Sequence, residues 1–162
     1  MVNRRRMKLR ISKNFWLKEL TGSSTAERMG IENTPDTEQL ISLAVLTNQV
    51  LQPVREQFGA VTISSGLRVP ELNSAIGGSK TSSHCKGEAA DFEVYSSDNH
   101  AVALWIQNNL KFDQLILEFY TPGEPNSGWV HCSYKRDGSN RNQVLTAVKS
   151  GKSTKYVEGL DG

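Results

Sequence analysis

Ser82-Ser83-His84-Cys85-Lys86-Gly87-Glu88-Ala89-Ala90-Asp91 is the segment from which the architecture of this chain can be worked out. His84 and Asp91 are seven residues apart, and a single helix would separate them by roughly 10 Å, too far for one ion. A turn at Gly87, where the missing side chain permits unusual backbone angles, followed by a strand would bring them together. Asp91 stands between Ala90 and Phe92, and a carboxylate in apolar surroundings needs a charged partner or a metal ion.

His84, Asp91 and the later His131 form a ligand set that suits a catalytic zinc ion with an open fourth position. Zinc lowers the pKa of a water in that position from about 15.7 to roughly 7, which makes hydroxide available at neutral pH. The three residues therefore predict one Zn²⁺ ion in a hydrolytic centre. Taken singly, His84 could be an ordinary loop residue and Asp91 a strand-end cap or ion-pair partner.

Helices are expected before and between the strands. Apolar residues recur at intervals of three and four from Leu40 to Val54, which predicts a helix over residues 37–58 that begins at Asp36 or Thr37 and ends at Gly59. Pro53 is expected to kink or split it. Shorter helices are predicted at residues 14–20, with Phe15, Trp16 and Leu20 packing inward, and at residues 24–29, 71–76 and 99–109.

Strands dominate the second half of the chain. They are predicted at residues 61–64, 89–94, 113–120, 128–134 and 144–148, with 121–127 as a polar hairpin loop and the end of the chain rich in Gly and Lys. Helices first and strands later favour an α+β fold with a small, mainly antiparallel sheet and flanking helices. Residues 1–13 are interpreted as a loose basic leader and residues 14–162 as a single domain that carries the zinc site.

Composition excludes several classes of protein. The chain has 162 residues, 37% hydrophobic and 22% charged, which is typical of a globular domain rather than a disordered one. A net charge of only +2 argues against nucleic acid as the main partner. The basic cluster Arg4, Arg5, Arg6, Lys8 and Arg10 is interpreted as a solvated tail, with an anchor for an acidic polymer such as a cell wall as the alternative.

No apolar run approaches the ~20 residues of a membrane span, and none follows the basic amino end as in a signal peptide. Synthesis in the cytoplasm is expected, so action outside the cell would need a separate means of release. Cys85 and Cys132 each follow a predicted ligand histidine. Strand alternation should turn Cys132 away from the side that His131 faces, so both are expected as free, partly buried thiols. A disulfide between them and direct metal ligation are the competing interpretations.

The pattern Ser82-x-His84-x-x-Gly87-x-Ala89-x-Asp91 with Trp129-x-His131 resembles the zinc peptidases of the D-Ala-D-Ala carboxypeptidase and phage endolysin group. These share a metal-site fold with lysostaphin-type enzymes and the amino-terminal domain of hedgehog proteins. The likeness extends to residues 51–55, 64–68 and 72–73 and covers about residues 14–160. It implies that His84, Asp91 and His131 bind zinc. It further implies that Arg68 holds a substrate carbonyl or carboxylate and that the substrate is a peptidoglycan stem peptide.

The general base departs from the pattern of this group. Many relatives carry an acidic residue three positions before the last histidine, where this chain has Gly128. Glu118 is the leading replacement, because it lies in an apolar strand that a hairpin could place beside His131. Glu93 is the next candidate. It lies two residues after Asp91, so the two side chains are expected on the same face of the strand. Asp113 and Glu124 are weaker candidates for the same role.

The resulting hypothesis is a zinc metallopeptidase that hydrolyses an amide bond in peptidoglycan stem peptides, as a phage-type endolysin or a D,D-carboxypeptidase. Arg68 would stabilise the oxyanion or, alternatively, form a structural salt bridge. Ser82 would contact the substrate or stabilise the turn. Trp129 would form one side of the substrate cleft or pack in the core. A holin-type partner could supply the release of a phage lysin, but nothing in this chain indicates one. The rival hypothesis is a catalytically inactive, zinc-stabilised module that binds the cell wall or serves a structural role, and Gly128 is its main support.

Overall fold

The structure is a computed structural model that describes residues 8–160. Its helical segments are α1 (Leu17–Thr21), α2 (Ser24–Met29), α3 (Thr37–Leu46), a π-helical turn (Thr47–Leu51), α4 (Gln52–Phe58), α5 (Pro70–Ala75), a 3-10 turn (Ser83–Lys86) and α6 (Asn99–Asn109). Its strands are β1 (Thr62–Ser65), β2 (Ala89–Glu93), β3 (Gln114–Glu118), β4 (Trp129–Ser133), β5 (Gln143–Ser150) and β6 (Ser153–Glu158). Within residues 8–160, no helix has the length and apolar character that crossing a membrane requires.

The strands form one sheet in the order β1-β2-β4-β3-β5-β6. Neighbouring strands run antiparallel except β3 and β5, which are parallel. The predicted α+β class with a mainly antiparallel sheet is confirmed. The sequence did not reveal β6, because this strand lies at the edge of the sheet with mostly exposed residues, and such a strand shows no alternation of apolar and polar side chains.

The two faces of the sheet have different partners. Phe92, Leu117, Val130 and Cys132 belong to the buried hydrophobic core, together with side chains of the surrounding helices. Because successive strand residues point to opposite faces, the residues between them, among them His131, project from the other face. The sheet therefore separates a dry core from a polar surface on which side chains of several strands can meet.

The segment predicted as one helix with a break at Pro53 is helical from Thr37 to Phe58 and contains a π-helical turn. The Asp36 carboxylate accepts a hydrogen bond from the backbone N–H of Gln39 at 2.8 Å and caps the amino end. The irregular turn, Thr47–Leu51, directly precedes the turn that holds Pro53. A proline has no N–H to donate to the preceding turn, so the irregular hydrogen bonding lies on the N-terminal side of Pro53.

The inward packing predicted for Trp16 is wrong. Trp16 is 44% exposed, whereas Phe15 and Leu17 are buried. The residue precedes α1 in extended backbone, where neighbouring side chains alternate, so burial of Phe15 and Leu17 turns the indole outward. The guanidinium of Arg10 stacks over its ring at 5.7 Å. Residues 1–7 of the predicted leader, with Arg4, Arg5 and Arg6, lie outside the described residues.

Candidate active site

The three predicted metal ligands converge, although they come from three separate elements. His84 lies in the 3-10 turn, Asp91 in β2 and His131 in β4. Their nearest side-chain nitrogen and oxygen atoms all lie within 4.8 Å of one another. His131 Nδ1 is 2.9 Å from Asp91 Oδ1, and His84 Nε2 is 3.4 Å from Asp91 Oδ2. This spacing suits one ion held at the 2.0–2.2 Å typical of zinc bonds, with only small side-chain movements.

Sheet register brings two of the ligands together. Asp91 and His131 are directly opposite each other in the antiparallel pair β2–β4, and such residues have Cβ atoms roughly 4.5–5.5 Å apart. The third ligand depends on Gly87, which ends the 3-10 turn with a φ of +71°. A Cβ at this position would lie 2.6 Å from the backbone oxygen of Gln39. Glycine is therefore required where the chain turns from His84 into β2, as the sequence predicted.

The ring orientation of His84 favours metal binding. Its Nδ1 lies 2.8 Å from the backbone oxygen of Gly66, so Nδ1–H donates there and Nε2 presents a lone pair towards Asp91. Metal-binding histidines commonly donate their other ring N–H to a backbone carbonyl in this way. Gly66 itself admits no side chain, because a Cβ would lie 2.3 Å from the backbone oxygen of Leu20. The donor set and its supporting hydrogen bond thus fit a zinc ion.

The electrostatic environment of Asp91 keeps it ionised. Burial by itself would raise the pKa of this carboxyl, but the hydrogen bond from His131 and the closeness of the His84 imidazole outweigh burial and hold the pKa well below its usual range. A carboxylate that stays charged at neutral pH can serve as an anionic ligand beside two imidazoles. Its side chain is only 16% exposed, so little solvent competes with these contacts.

Arg68 borders the same cleft and has unused donors. Its backbone N–H donates to the backbone oxygen of His84 at 3.1 Å. Its Nη2 is 3.5 Å from Ser82 Oγ, which is a weak contact, and its buried Nε has no hydrogen-bond partner within residues 8–160. The structural salt bridge considered from the sequence is not found among the described residues. A half-buried arginine with unused donors suits an oxygen anion brought in by a ligand.

Ser82 has a local structural role. Its side-chain oxygen accepts a hydrogen bond from the backbone N–H of His84 at 3.3 Å and so caps the 3-10 turn. Ser82 also lines the cleft, which leaves its predicted contact with substrate open.

Glu118 lies where the hairpin hypothesis placed it. It pairs with Trp129 across β3 and β4, on the sheet face that carries His131, and it lines the cleft. Burial raises the pKa of Glu118 to about 7, and the negative charge of Asp91 adds to this, while His131 and Arg68 act in the opposite direction. A carboxyl whose pKa lies near neutrality suits a group that must both accept and release a proton.

Gly128 explains why the usual acidic position is empty. Its φ is +62°, and a Cβ there would lie 1.9 Å from the backbone oxygen of Glu118. No acidic side chain fits at this point without moving the backbone. The side-chain amide of Asn99 donates to the backbone oxygens of Ser127 and Gly128 at 3.0 and 3.3 Å, which fixes the loop against α6. The acidic function, if present, must come from another strand.

The remaining acidic candidates are less well placed. Asp113 lines the cleft, but its two carboxylate oxygens accept hydrogen bonds from the Arg141 guanidinium at 3.0 and 2.9 Å. Glu93 is 3.4 Å from the side-chain nitrogen of Asn99 and does not line the cleft. Glu124 is exposed in the loop between β3 and β4. Of the four acids considered, Glu118 alone lines the cleft without an ion-pair partner among the described residues.

The cleft has a volume of about 500 Å³ and contains all three predicted ligands, Arg68 and Glu118. Trp129 forms part of its wall, as one sequence interpretation expected. The buried indole Nε1 of Trp129 has no hydrogen-bond partner in normal geometry among the described residues, although it lies near enough to Glu118 to favour the ionised carboxylate slightly. A second cavity of similar volume borders the other side of the 3-10 turn and contains none of the three ligands.

Both cysteines are free thiols, as predicted. Cys132 is fully buried in the core, on the opposite face from its neighbour His131. Burial raises the pKa of both thiols, which disfavours the thiolate form that metals bind.

Comparison with known families agrees with this geometry. A family model described as peptidase M15 matches residues 13–133. The chain belongs to the peptidase M15 family. The suspected relationship is thereby confirmed, and membership of a peptidase family supports a hydrolase. The match includes all three predicted ligands as well as Arg68 and Glu118, while β5 and β6 of this M15 peptidase lie beyond it. No curated protein matches the chain significantly.

Proposed function

We propose that this M15 family member is a zinc-dependent peptidase that hydrolyses an amide bond in peptidoglycan stem peptides. The observation that carries the proposal is the convergence of His84, Asp91 and His131 within 4.8 Å of one another. This group lies in a cleft that also holds a carboxyl with a pKa near 7 and an arginine with unused donors. The peptidoglycan substrate rests on the resemblance of the motifs to cell-wall peptidases.

The ligand group suits one zinc ion. Nε2 of His84, Nδ1 of His131 and one carboxylate oxygen of Asp91 would hold it. When bound, zinc would supply Lewis acidity, which acidifies a water molecule and polarises a carbonyl group. Three protein ligands leave a position open for this purpose, as in catalytic rather than structural zinc sites.

Glu118 and Arg68 would divide the remaining work. A Glu118 carboxylate oxygen accepts a proton from the attacking water while the water oxygen forms a bond to the carbonyl carbon. Glu118 then donates that proton to the amine nitrogen as the C–N bond breaks, so hydrolysis leaves the residue in its starting state. The Arg68 guanidinium would stabilise negative charge on the carbonyl oxygen. Ser82 and Trp129, which line the cleft, would contact the peptide.

Action on the cell wall after synthesis in the cytoplasm, as a phage-type lysin or a bacterial hydrolase, belongs to the same proposal. The discriminating experiment measures wall degradation by purified protein loaded with zinc, and by the same protein after chelation. We expect Glu118→Gln to abolish activity while zinc content stays unchanged. Glu93→Gln is the matched control, because it removes one carboxylate from the same sheet face outside the cleft. Wild-type activity in Glu118→Gln would remove Glu118 from the mechanism.

An inactive, zinc-stabilised module that binds the cell wall is the second candidate, favoured by the steric exclusion of an acid at position 128. It predicts zinc binding and wall binding without release of peptides. Mass spectrometry of wall fragments separates the candidates and, if products appear, identifies the bond that is cut.

A further inference from the structure

One wall of the cleft is built by residues beyond the family match. The match ends at residue 133, yet Lys135, Arg141 and Tyr156 line the cleft. Tyr156 lies opposite Ala147 on β5, and Ala147 lies opposite Glu118 on β3, so these residues share one face of the sheet. The segment after residue 133 thus completes the cleft with side chains that the family pattern does not specify.

Lys135 and Arg141 meet at one buried carboxylate. The side chain of Asp113 is only 6% exposed and accepts two hydrogen bonds from Arg141. Lys135 Nζ is 3.9 Å from the same carboxylate, which is too far for a hydrogen bond. Arg141 Nη1 and the Lys135 ammonium therefore retain donors, and both side chains are substantially exposed, 55% and 40%.

The charges at this end of the cleft do not cancel. The cations that line it are Lys86, Lys135 and Arg141, and the anions are Glu88 and Asp113, so its lining carries one positive charge in excess; the exposed Asp137 lies near Lys135 but outside this lining. Asp113 cannot neutralise both of its neighbours, and Lys86 is exposed. A site with exposed cations that retain unused donors favours an anionic group with several acceptor atoms, such as a carboxylate.

The separation from the metal ligands limits where that carboxylate can be. Lys135 follows His131 by four positions, two of them beyond the end of β4 at Ser133, so their Cα atoms are separated by at most roughly 13 Å at the 3.3 Å rise of a strand. The lysine Nζ lies beside Asp113, which precedes Ile116, the register partner of His131, by three positions, or roughly 10 Å at the same rise. An extended peptide advances at most about 3.3–3.6 Å per residue, so the carboxylate would lie about two to four residues from the cleaved amide. A carboxylate directly at the cleaved bond would instead be within reach of Arg68.

We propose that Lys135 and Arg141 form a specificity subsite for a free carboxylate located two to four residues from the cleaved amide. The proposal rests on the proposed peptidase function and refines it. It assigns an extended stem peptide with an unamidated acidic residue as the preferred substrate. Amidation of that carboxylate removes the charge and two acceptor positions, and would weaken binding without altering the chemistry at the reacting bond.

The test uses the zinc-loaded full chain and synthetic stem peptides L-Ala-D-Glu-diaminopimelate-D-Ala-D-Ala, either fully acidic or amidated at one side carboxyl at a time. Mass spectrometry first locates the cleaved amide. Amidation of a carboxyl that lies two to four residues from the cleaved amide should raise KM roughly 3- to 10-fold and leave kcat nearly unchanged. This pattern is expected when the lost charged contact is equally strong in the ground state and the transition state. Lys135→Gln should raise KM for the acidic peptide and largely remove the preference.

Lys152→Gln is the matched control, since it removes the same charge from the exposed turn between β5 and β6; it should retain the preference. Calorimetry with Glu118→Gln and the same peptides measures binding without turnover and should show the same order of affinities. Equal KM values for acidic and amidated peptides, or an unchanged preference in Lys135→Gln, would overturn the subsite while leaving the peptidase proposal intact. Cleavage of no peptide and no wall material would instead refute the peptidase function and the subsite with it.

Discussion

Replacement of Glu118 by glutamine should stabilise the metal-free protein at alkaline pH. Burial raises the pKa of Glu118 from its usual 4.5 to about 7, so the folded state holds this proton more tightly than the unfolded chain. The resulting destabilisation is absent below about pH 4.5, grows as pH rises to about 7, and is complete above that. At 1.36 kcal/mol for each tenfold change in proton affinity, the destabilisation by ionised Glu118 amounts to about 3 kcal/mol. Solvent screens this partly exposed group and reduces the value to about 1–2 kcal/mol.

The assay is urea unfolding of chelator-treated protein at pH 4.5 and pH 8. At pH 8 the Glu118→Gln variant should be about 1–2 kcal/mol more stable than the wild type, equivalent to a rise in Tm of roughly 3–6 °C for a chain of this size. At pH 4.5 the two should be nearly equal. Glu93→Gln controls for removal of one charge from the same sheet face. Equal stability of Glu118→Gln and the wild type at pH 8 would refute the raised pKa of Glu118. Excess zinc should reduce the stability difference between the two proteins, because a bound cation favours the ionised carboxylate of Glu118.

Three further changes test other parts of the site. His131→Ala should lower zinc affinity by more than the roughly 10- to 100-fold typical for loss of a supporting residue, measured by metal analysis after dialysis; full zinc content would refute its role as a ligand. Arg68→Ala should lower kcat by about 10²- to 10³-fold if it stabilises the oxyanion, with zinc content unchanged. Gly128→Ala should destabilise the fold by about 2–5 kcal/mol, through left-handed strain and the clash with the strand bearing Glu118. Gly123→Ala, at a φ of +87° with open space around it, should cost only about 1–2 kcal/mol; equal losses would refute the steric argument.

Much of the fold could be predicted because the signals were local. The three- and four-residue spacing from Leu40 to Val54 identified the long helix, and the alternation around His131 identified β4. The π-helical turn, the edge strand β6 and the exposed Trp16 were missed. The exposure of Trp16 depends on which of its neighbours pack into the core. Strand β6 is an exposed edge strand without alternation, and the π-helical turn lies beside Pro53, where only a kink or a break was predicted.

The candidate site was predictable to a similar extent. Residue types and spacing were enough to select His84, Asp91 and His131, because few side chains can hold zinc and a glycine turn was needed between the first two. The cations Lys135 and Arg141 carried no such signal. Their importance depends on Asp113, a partner in a different segment of the chain, and the sequence shows no reason for the three to meet.

The sequence by itself determined the class of fold, the identity of the candidate metal-binding groups and the family, since these depend on residue chemistry and short-range spacing. Only the tertiary structure decided that Asp91 and His131 are register partners and that backbone atoms forbid an acid at position 128. It also placed Glu118 in the cleft with a raised pKa. The physical reason is that strand register, steric exclusion and burial arise between segments distant in the chain, where no local pattern records them.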